Sequence, residues 1–186
     1  MTEGMRLRPV VEDDLAVLEG MFDDPDGIGV FNFGGFRDGS FWRKRWDEDR
    51  LLADDKTSFL IVDLDGEMLG FVSFARRPTS TYSYCMEFGI SLLPAARGKG
   101  HGATAQRLLA RYLFAYSQVN RIQAFTEFGN LAEQRSLEKA GFVREAVLHG
   151  LTHRDGQWRD EVLYRMLRSE LPVDDEAHRE PAEDRG

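Results

Sequence analysis

An apolar run, broken by a proline and reopened through a glycine-rich turn into a long amphipathic helix, dominates this sequence. Residues 84–93 are largely apolar, Pro94 closes them, and residues 97–102 read Arg-Gly-Lys-Gly-His-Gly before a helical stretch to about Ser117. Glycines let the backbone pass close to a ligand and leave successive N–H groups facing one concavity. A helix starting there adds the partial positive charge of its N-terminus. The segment therefore predicts a pyrophosphate cradle, with Arg97 and Lys99 able to add charge at its edge. The same spacing also fits a plain tight turn. It is not a P-loop, because no Gly-Lys-Ser/Thr ends it. Nor does it follow a first strand with an acid about 20 residues further on, as a dinucleotide fold requires.

The remaining pattern surrounds this segment with strands. Residues 5–10 alternate as a first strand, and Leu15, Leu18, Glu19 and Phe22 follow at helical spacing after the acids Glu12, Asp13 and Asp14. Residues 23–39 are glycine-rich and predict a loop or broken helix. Ser40 is the expected N-cap of a second helix over 41–53. Strands are predicted over 57–64 and 67–74, joined by the hairpin dipeptide Asp65-Gly66, with a polar loop over 76–83. In the long helix, Leu108, Leu109, Tyr112, Leu113 and Tyr116 read as one apolar stripe. A strand over 121–128, a short helix over 131–140 capped by Asn130 and stopped by Gly141, and strands over 142–149 and 161–167 complete the chain. Such mixed order implies an α/β (α+β) fold. Its centre is one twisted mixed sheet of about seven strands, mostly antiparallel, with helices on both faces. The strand–helix–strand segment over 84–128 should be a parallel crossover.

Length and charge narrow the function. A chain of 186 residues suits a single domain, placed here at 1–170. Residues 171–186 carry six acids and two arginines without periodicity, which predicts an acidic disordered tail. That tail holds half of the net charge of −8, so the body is only mildly acidic. Such a surface argues against nucleic-acid binding but leaves room for a small basic pocket. The lone cysteine, Cys85, and four scattered histidines build neither a disulfide nor a metal centre, so no metal is expected. No apolar run reaches about 18 residues and no N-terminal stretch reads as a signal peptide, so a cytoplasmic location without membrane attachment is expected.

Several segments resemble one family. The run Arg97-x-x-Gly100-x-Gly102 is similar to the acyl-CoA pyrophosphate motif of GNAT superfamily N-acetyltransferases. Residues 130–142 resemble the last helix of that superfamily, and Leu7-Arg8-Pro9 with Glu12-Asp13-Asp14-Leu15 resembles its opening strand and helix. Trp158-Arg159-Asp160-Glu161-Val162-Leu163-Tyr164 is similar to the close of the RimJ/RimL-like branch. The likeness runs in order over about residues 5–168.

The resemblance implies an N-acyltransferase that moves an acetyl or related acyl group from acetyl-CoA to an amine by direct attack on the thioester. Leu92, Arg97, Gly98, Lys99, Gly100, His101, Gly102, Ala103 and Asn130 would hold the co-substrate. The strand ending near Leu92 would splay from the strand over 121–128 to admit the pantetheine arm. Glu87 would act through water as general base, or simply pair with an arginine. The tyrosine acid of many relatives falls at Leu137, so no such acid exists here. Glu133 replaces a serine common in the branch and reads as half of a capping box with Asn130. Ser136 is the remaining hydroxyl candidate on that helix. Phe31, Phe33, Trp42 and Trp46 would shape the acceptor site, although the two tryptophans also fit core anchors. A small-molecule amine or a peptide N-terminus is the implied acceptor, and a homodimer the implied assembly. The alternative is a non-catalytic acyl-CoA-binding module on the same fold.

Overall fold

The computed structural model describes residues 4–36 and 38–171, so the predicted tail lies outside the described residues from 172 onward. The chain builds β1 (Met5–Pro9), α1 (Leu15–Asp23), the single turn α2 (Pro25–Ile28) and α3 (Phe41–Asp49). It continues with β2 (Ser58–Leu64), β3 (Glu67–Pro78), β4 (Tyr84–Leu92) and α4 (His101–Tyr116). β5 (Arg121–Glu127), α5 (Leu131–Ala140), β6 (Val143–Arg154) and β7 (Gln157–Leu167) complete it. One seven-stranded sheet runs in the order β1-β2-β3-β4-β5-β7-β6. Every neighbouring pair is antiparallel except β4 and β5.

Alternation along β2 explains why its sequence is apolar throughout. Leu60 and Val62 join α4 and α5 in the larger core, while Phe59 and Ile61 join α1, α2 and α3 in the smaller one. A strand buried on both faces has no position left for a polar side chain. Ser58 and Asp63 are the exceptions: Ser58 Oγ is bonded to the Ala53 backbone, and Asp63, at 1% exposure, is reached by Arg6 and Arg8 at 3.1 and 2.9 Å. Arg8 also holds the buried Asp14 at the start of the first helical turn, at 2.7 Å. This pairing holds both carboxyls below the ordinary carboxylate range.

Several expectations need correction. The polar stretch over 76–83 is half strand, because Arg76 and Arg77 continue β3 to Pro78 in register with β4. Cross-strand partners make this possible: Arg77 pairs with Glu87, and Arg76 lies over the Tyr84 ring. Ser40 stands at the N-cap position of α3 as expected, but its side chain makes no capping bond; Asp38 accepts hydrogen bonds from both its N–H and its hydroxyl. α3 stops at Asp49, where Arg50 and Leu51 turn left-handed. The α4 stripe is rotated from its expected face. Gln106, Leu109, Ala110, Leu113 and Phe114 are buried, whereas Tyr116 is 80% exposed and Tyr112 lies at the edge. Alanines at 103, 105 and 110 let the helix sit close to the sheet, which bulky tyrosines would prevent. The closing hairpin is longer than predicted, because a second Asp-Gly pair, Asp155-Gly156, turns it with positive φ at both residues.

Candidate active site

β4 and β5 pair only at Met86 with Ile122 and Glu87 with Gln123. Beyond those pairs the strands part, so β4 from Phe88 to Leu92 presents backbone groups to a gap instead of to a neighbour. Two cavities border this gap. The larger, about 530 Å3, is walled by Ile90, Ser91 and Leu92 of β4, the turn over 97–103, the loop over 28–32, and Asn130, Glu133 and Ser136 of α5. The smaller, about 260 Å3, lies where the strands begin to part, lined by Ser73, Arg77, Glu87, Gly89 and Phe125.

The glycine-rich turn is built for close approach. Gly98 and Gly100 sit in the left-handed region at φ 73° and 84°, and a Cβ on either would point into open space. Gly100 occupies the N-cap position of the 16-residue helix α4 and has no side chain with which to cap it. Gly102 has a different reason to be glycine: a Cβ there would lie 2.8 Å from Ser136 Oγ. It lets α4 and α5 meet. His101 lines the cavity, and its Nδ1 is buried without a hydrogen-bond partner.

Other predicted site residues divide. Leu92, Ala103 and Asn130 line the larger cavity. Lys99 is exposed on the turn. Arg97 borders the cavity, but its guanidinium donates to the carbonyls of Leu92, Asp26 and Gly27 at 2.8, 2.8 and 2.6 Å. It is a strut that ties the α2 turn to the glycine-rich turn, and its charge is engaged by backbone. Phe31 lines the cavity and its ring faces Arg154 at 5.5 Å. Asn32, which sequence reasoning did not single out, donates to Ile90 O at 3.2 Å and so closes the loop onto the free edge of β4. Phe33 packs against the smaller core and Phe36, outside both cavities. Trp42 is a core residue at 2% exposure, in contact with the Phe22, Phe41, Phe59 and Phe71 rings. Trp46 packs beside it under Arg50. The two tryptophans therefore anchor α3 on the sheet and line neither cavity.

Glu87 lies at the smaller cavity, accepting from Arg77 Nε at 2.9 Å and Gln123 Nε2 at 3.2 Å. Ser136 turns its hydroxyl toward α4, donating to Gln106 Oε1 at 3.2 Å. The expected capping box at α5 is only half formed. Asn130 Oδ1 accepts from Glu133 N at 3.3 Å, but the Glu133 carboxyl turns away and accepts from Gln106 Nε2 at 2.6 Å. Burial in this position pushes the Glu133 carboxyl up to about 8. Cys85 is buried, and burial pushes its thiol up, away from nucleophilic reactivity.

A seven-stranded sheet thus splits beside an uncapped helix N-terminus. The acetyltransferase (GNAT) domain profile matches residues 5–143. The chain belongs to the GNAT acetyltransferase family and is an N-acetyltransferase, whose general reaction moves an acyl group from acyl-CoA to an amine. Phosphinothricin N-acetyltransferase of Alcaligenes faecalis is 26% identical over 159 residues, 84% of this chain and 79% of the relative. The spermidine N-acetyltransferase of Vibrio cholerae, solved with CoA and spermine, superposes with a TM-score of 0.78 at 19% identity, covering 90% of this chain and 98% of the other. Mycobacterium smegmatis RimJ, solved with a CoA disulfide, has a TM-score of 0.74 at 22% identity, covering 91% of this chain and 84% of the other. Among the described residues no helix is long and apolar enough to cross a membrane.

Proposed function

We propose that this chain transfers the acetyl group of acetyl-CoA to a primary amine carried by a small molecule or a peptide N-terminus. The observation that carries the reading is the uncapped N-terminus of α4, which opens through two left-handed glycines onto a cleft that ends where β4 and β5 part.

Backbone amides of Gly98, Lys99, Gly100, His101, Gly102 and Ala103 hold the pyrophosphate in this reading, and the helix dipole adds to them. Asn130 and the backbone of β4 along the gap, near Leu92, orient the pantetheine arm. A β4 amide facing the gap polarises the thioester carbonyl, where charge develops during attack. Glu87, at the apex of the gap, takes the proton that the attacking amine loses, through one water. Its ion pair with Arg77 fixes the carboxyl in place beside Gly89 and Phe125. Phe31 walls the acceptor side, and Asn32 must exchange Ile90 O for its own solvent if that carbonyl is to meet a ligand.

Thermal unfolding with acetyl-CoA, CoA and NAD tests the cradle. Ligand at about 100 times its Kd adds about 2.7 kcal/mol of stability. A rise with acetyl-CoA and CoA but not NAD supports the reading, and an amine panel scored by thiol release then identifies the acceptor class. No rise at millimolar acetyl-CoA refutes it.

A further inference from the structure

Direct transfer leaves a thiolate, and the residue in this chain best placed to protonate it is not the one the sequence suggested. We propose that Glu133 donates the proton to the departing CoA sulfur, with Gln106 and Ser136 as the residues that position it. This rests on the acyl-transfer reading above.

The geometry carries the argument. Glu133 stands on the first turn of α5 and lines the larger cavity, opposite Ile90 and Leu92 of β4. It is half-buried at the wall of that cleft. At this position a carboxylate would ordinarily complete a capping box, yet Asn130 N donates instead to Glu127 O at 2.8 Å. The carboxyl is therefore released from any structural duty at the cap. Gln106, at 0% exposure, holds it from α4, and Ser136 holds the other end of the Gln106 amide. Gly102 permits this contact, since any side chain there would displace Ser136.

The surroundings keep the group neutral. Among the described residues no ion pair reaches Glu133. His101, Arg135 and Lys139 share the cleft, Arg97 is tied to three carbonyls, and the nearby acid Glu127 is engaged by Arg154. Gln106 donates to Glu133 Oε1, which leaves Oε2 as the oxygen to carry the proton in this proposal. A pantetheine arm in the cleft would exclude the remaining water and favour the neutral form further. An ordinary thiol titrates at about 8.5, close to the Glu133 value of about 8, so the proton moves between nearly matched groups.

The amine nitrogen bonds to the thioester carbon, and the C–S pair leaves on sulfur. Glu133 gives its proton to that sulfur, while the proton released by nitrogen passes through water to Glu87. Once the thiol departs, solvent takes the proton from Glu87 and reprotonates Glu133.

The test uses the full chain and Glu133→Gln, which keeps the shape and the Gln106 contact. kcat should fall by roughly 100-fold, while the Kd for acetyl-CoA by calorimetry should change by less than about threefold, since only transition-state contacts are lost. Wild-type kcat should decline above about pH 8 as Glu133 ionises, and the variant should lack that limb. A readout free of turnover is the carboxyl 13C titration of glutamate-labelled protein. The Glu133 resonance, assigned by its loss in Glu133→Gln or, should that fail to fold, Glu133→Asp, should titrate far above the other glutamates. A midpoint near the ordinary 4.5 overturns the proposal, as does unchanged kcat in a folded variant that binds acetyl-CoA. Failure of wild type and variant alike to bind acetyl-CoA overturns the acyl-transfer reading itself.

Discussion

Replacing Glu133 by glutamine should stabilise the folded protein, and by an amount that grows with pH. An unfolded chain releases the Glu133 proton near the ordinary 4.5, whereas the folded protein keeps it to about 8. Between those values the folded state binds more protons than the unfolded one, so stability falls as pH rises through that window and levels off above it. At 1.36 kcal/mol per pH unit the full window corresponds to about 5 kcal/mol. The carboxyl borders an open cleft where water relaxes around the charge, so about half of that, roughly 2 kcal/mol, is the expected effect. The α5 dipole opposes it by only about 0.3–1 kcal/mol and does not change the sign. Glutamine has no proton to lose and keeps an acceptor for Gln106. Urea unfolding of both proteins at pH 4.5, 6, 7 and 8.5 measures the difference. The two should be nearly equal at pH 4.5 and diverge steadily to 8.5, with the variant more stable. A gap independent of pH, or one that favours the wild type at pH 8.5, would refute the claim that burial holds this carboxyl neutral.

Other outcomes follow from the same geometry. Gly100→Glu forces a left-handed residue and a negative charge onto the α4 N-terminus, so acetyl-CoA affinity by calorimetry should fall at least about 100-fold while the circular dichroism spectrum is kept. Glu87→Ala should lower kcat by roughly 100-fold at neutral pH with acetyl-CoA affinity retained; unchanged turnover would remove Glu87 from the mechanism. Arg8→Met leaves Asp14 without its cation and Asp63 with Arg6 alone, and should cost about 3–5 kcal/mol by urea unfolding. Because both carboxyls are held low, that loss should be greatest above the ordinary carboxylate range and shrink as pH falls through their folded values. Trp42→Ala should cost about 3–5 kcal/mol and leave KM for the acceptor unchanged, since its ring packs among four aromatic side chains away from both cavities.

Local features of this protein are written in its sequence. Asp65-Gly66 is a hairpin turn because aspartate tolerates and glycine favours the consecutive positive φ that a tight hairpin needs, and the same signal at Asp155-Gly156 was open to the same reading. Asn130 and Gly141 bound α5 through a side-chain acceptor and a left-handed stop. The turn at Gly98 and Gly100 likewise follows from what a backbone without Cβ can do. Tertiary structure alone decided the matters that depend on which of several satisfiable partners lies nearest. Arg97 carries a charge that local reasoning sends to a phosphate, yet three carbonyls of the α2 turn and β4 reach it first. Trp42 and Tyr116 are both large and apolar, and periodicity cannot say which stripe faces the sheet. Glu133 at the third position of a helix should close a capping box, but Gln106, 27 residues earlier and brought beside it by Gly102, draws the carboxyl to the cleft instead. Local conformation depends on a few neighbouring dihedrals, which sequence encodes directly; the partner of a long, polar side chain depends on contacts between residues far apart in the chain, and those exist only once the fold has formed.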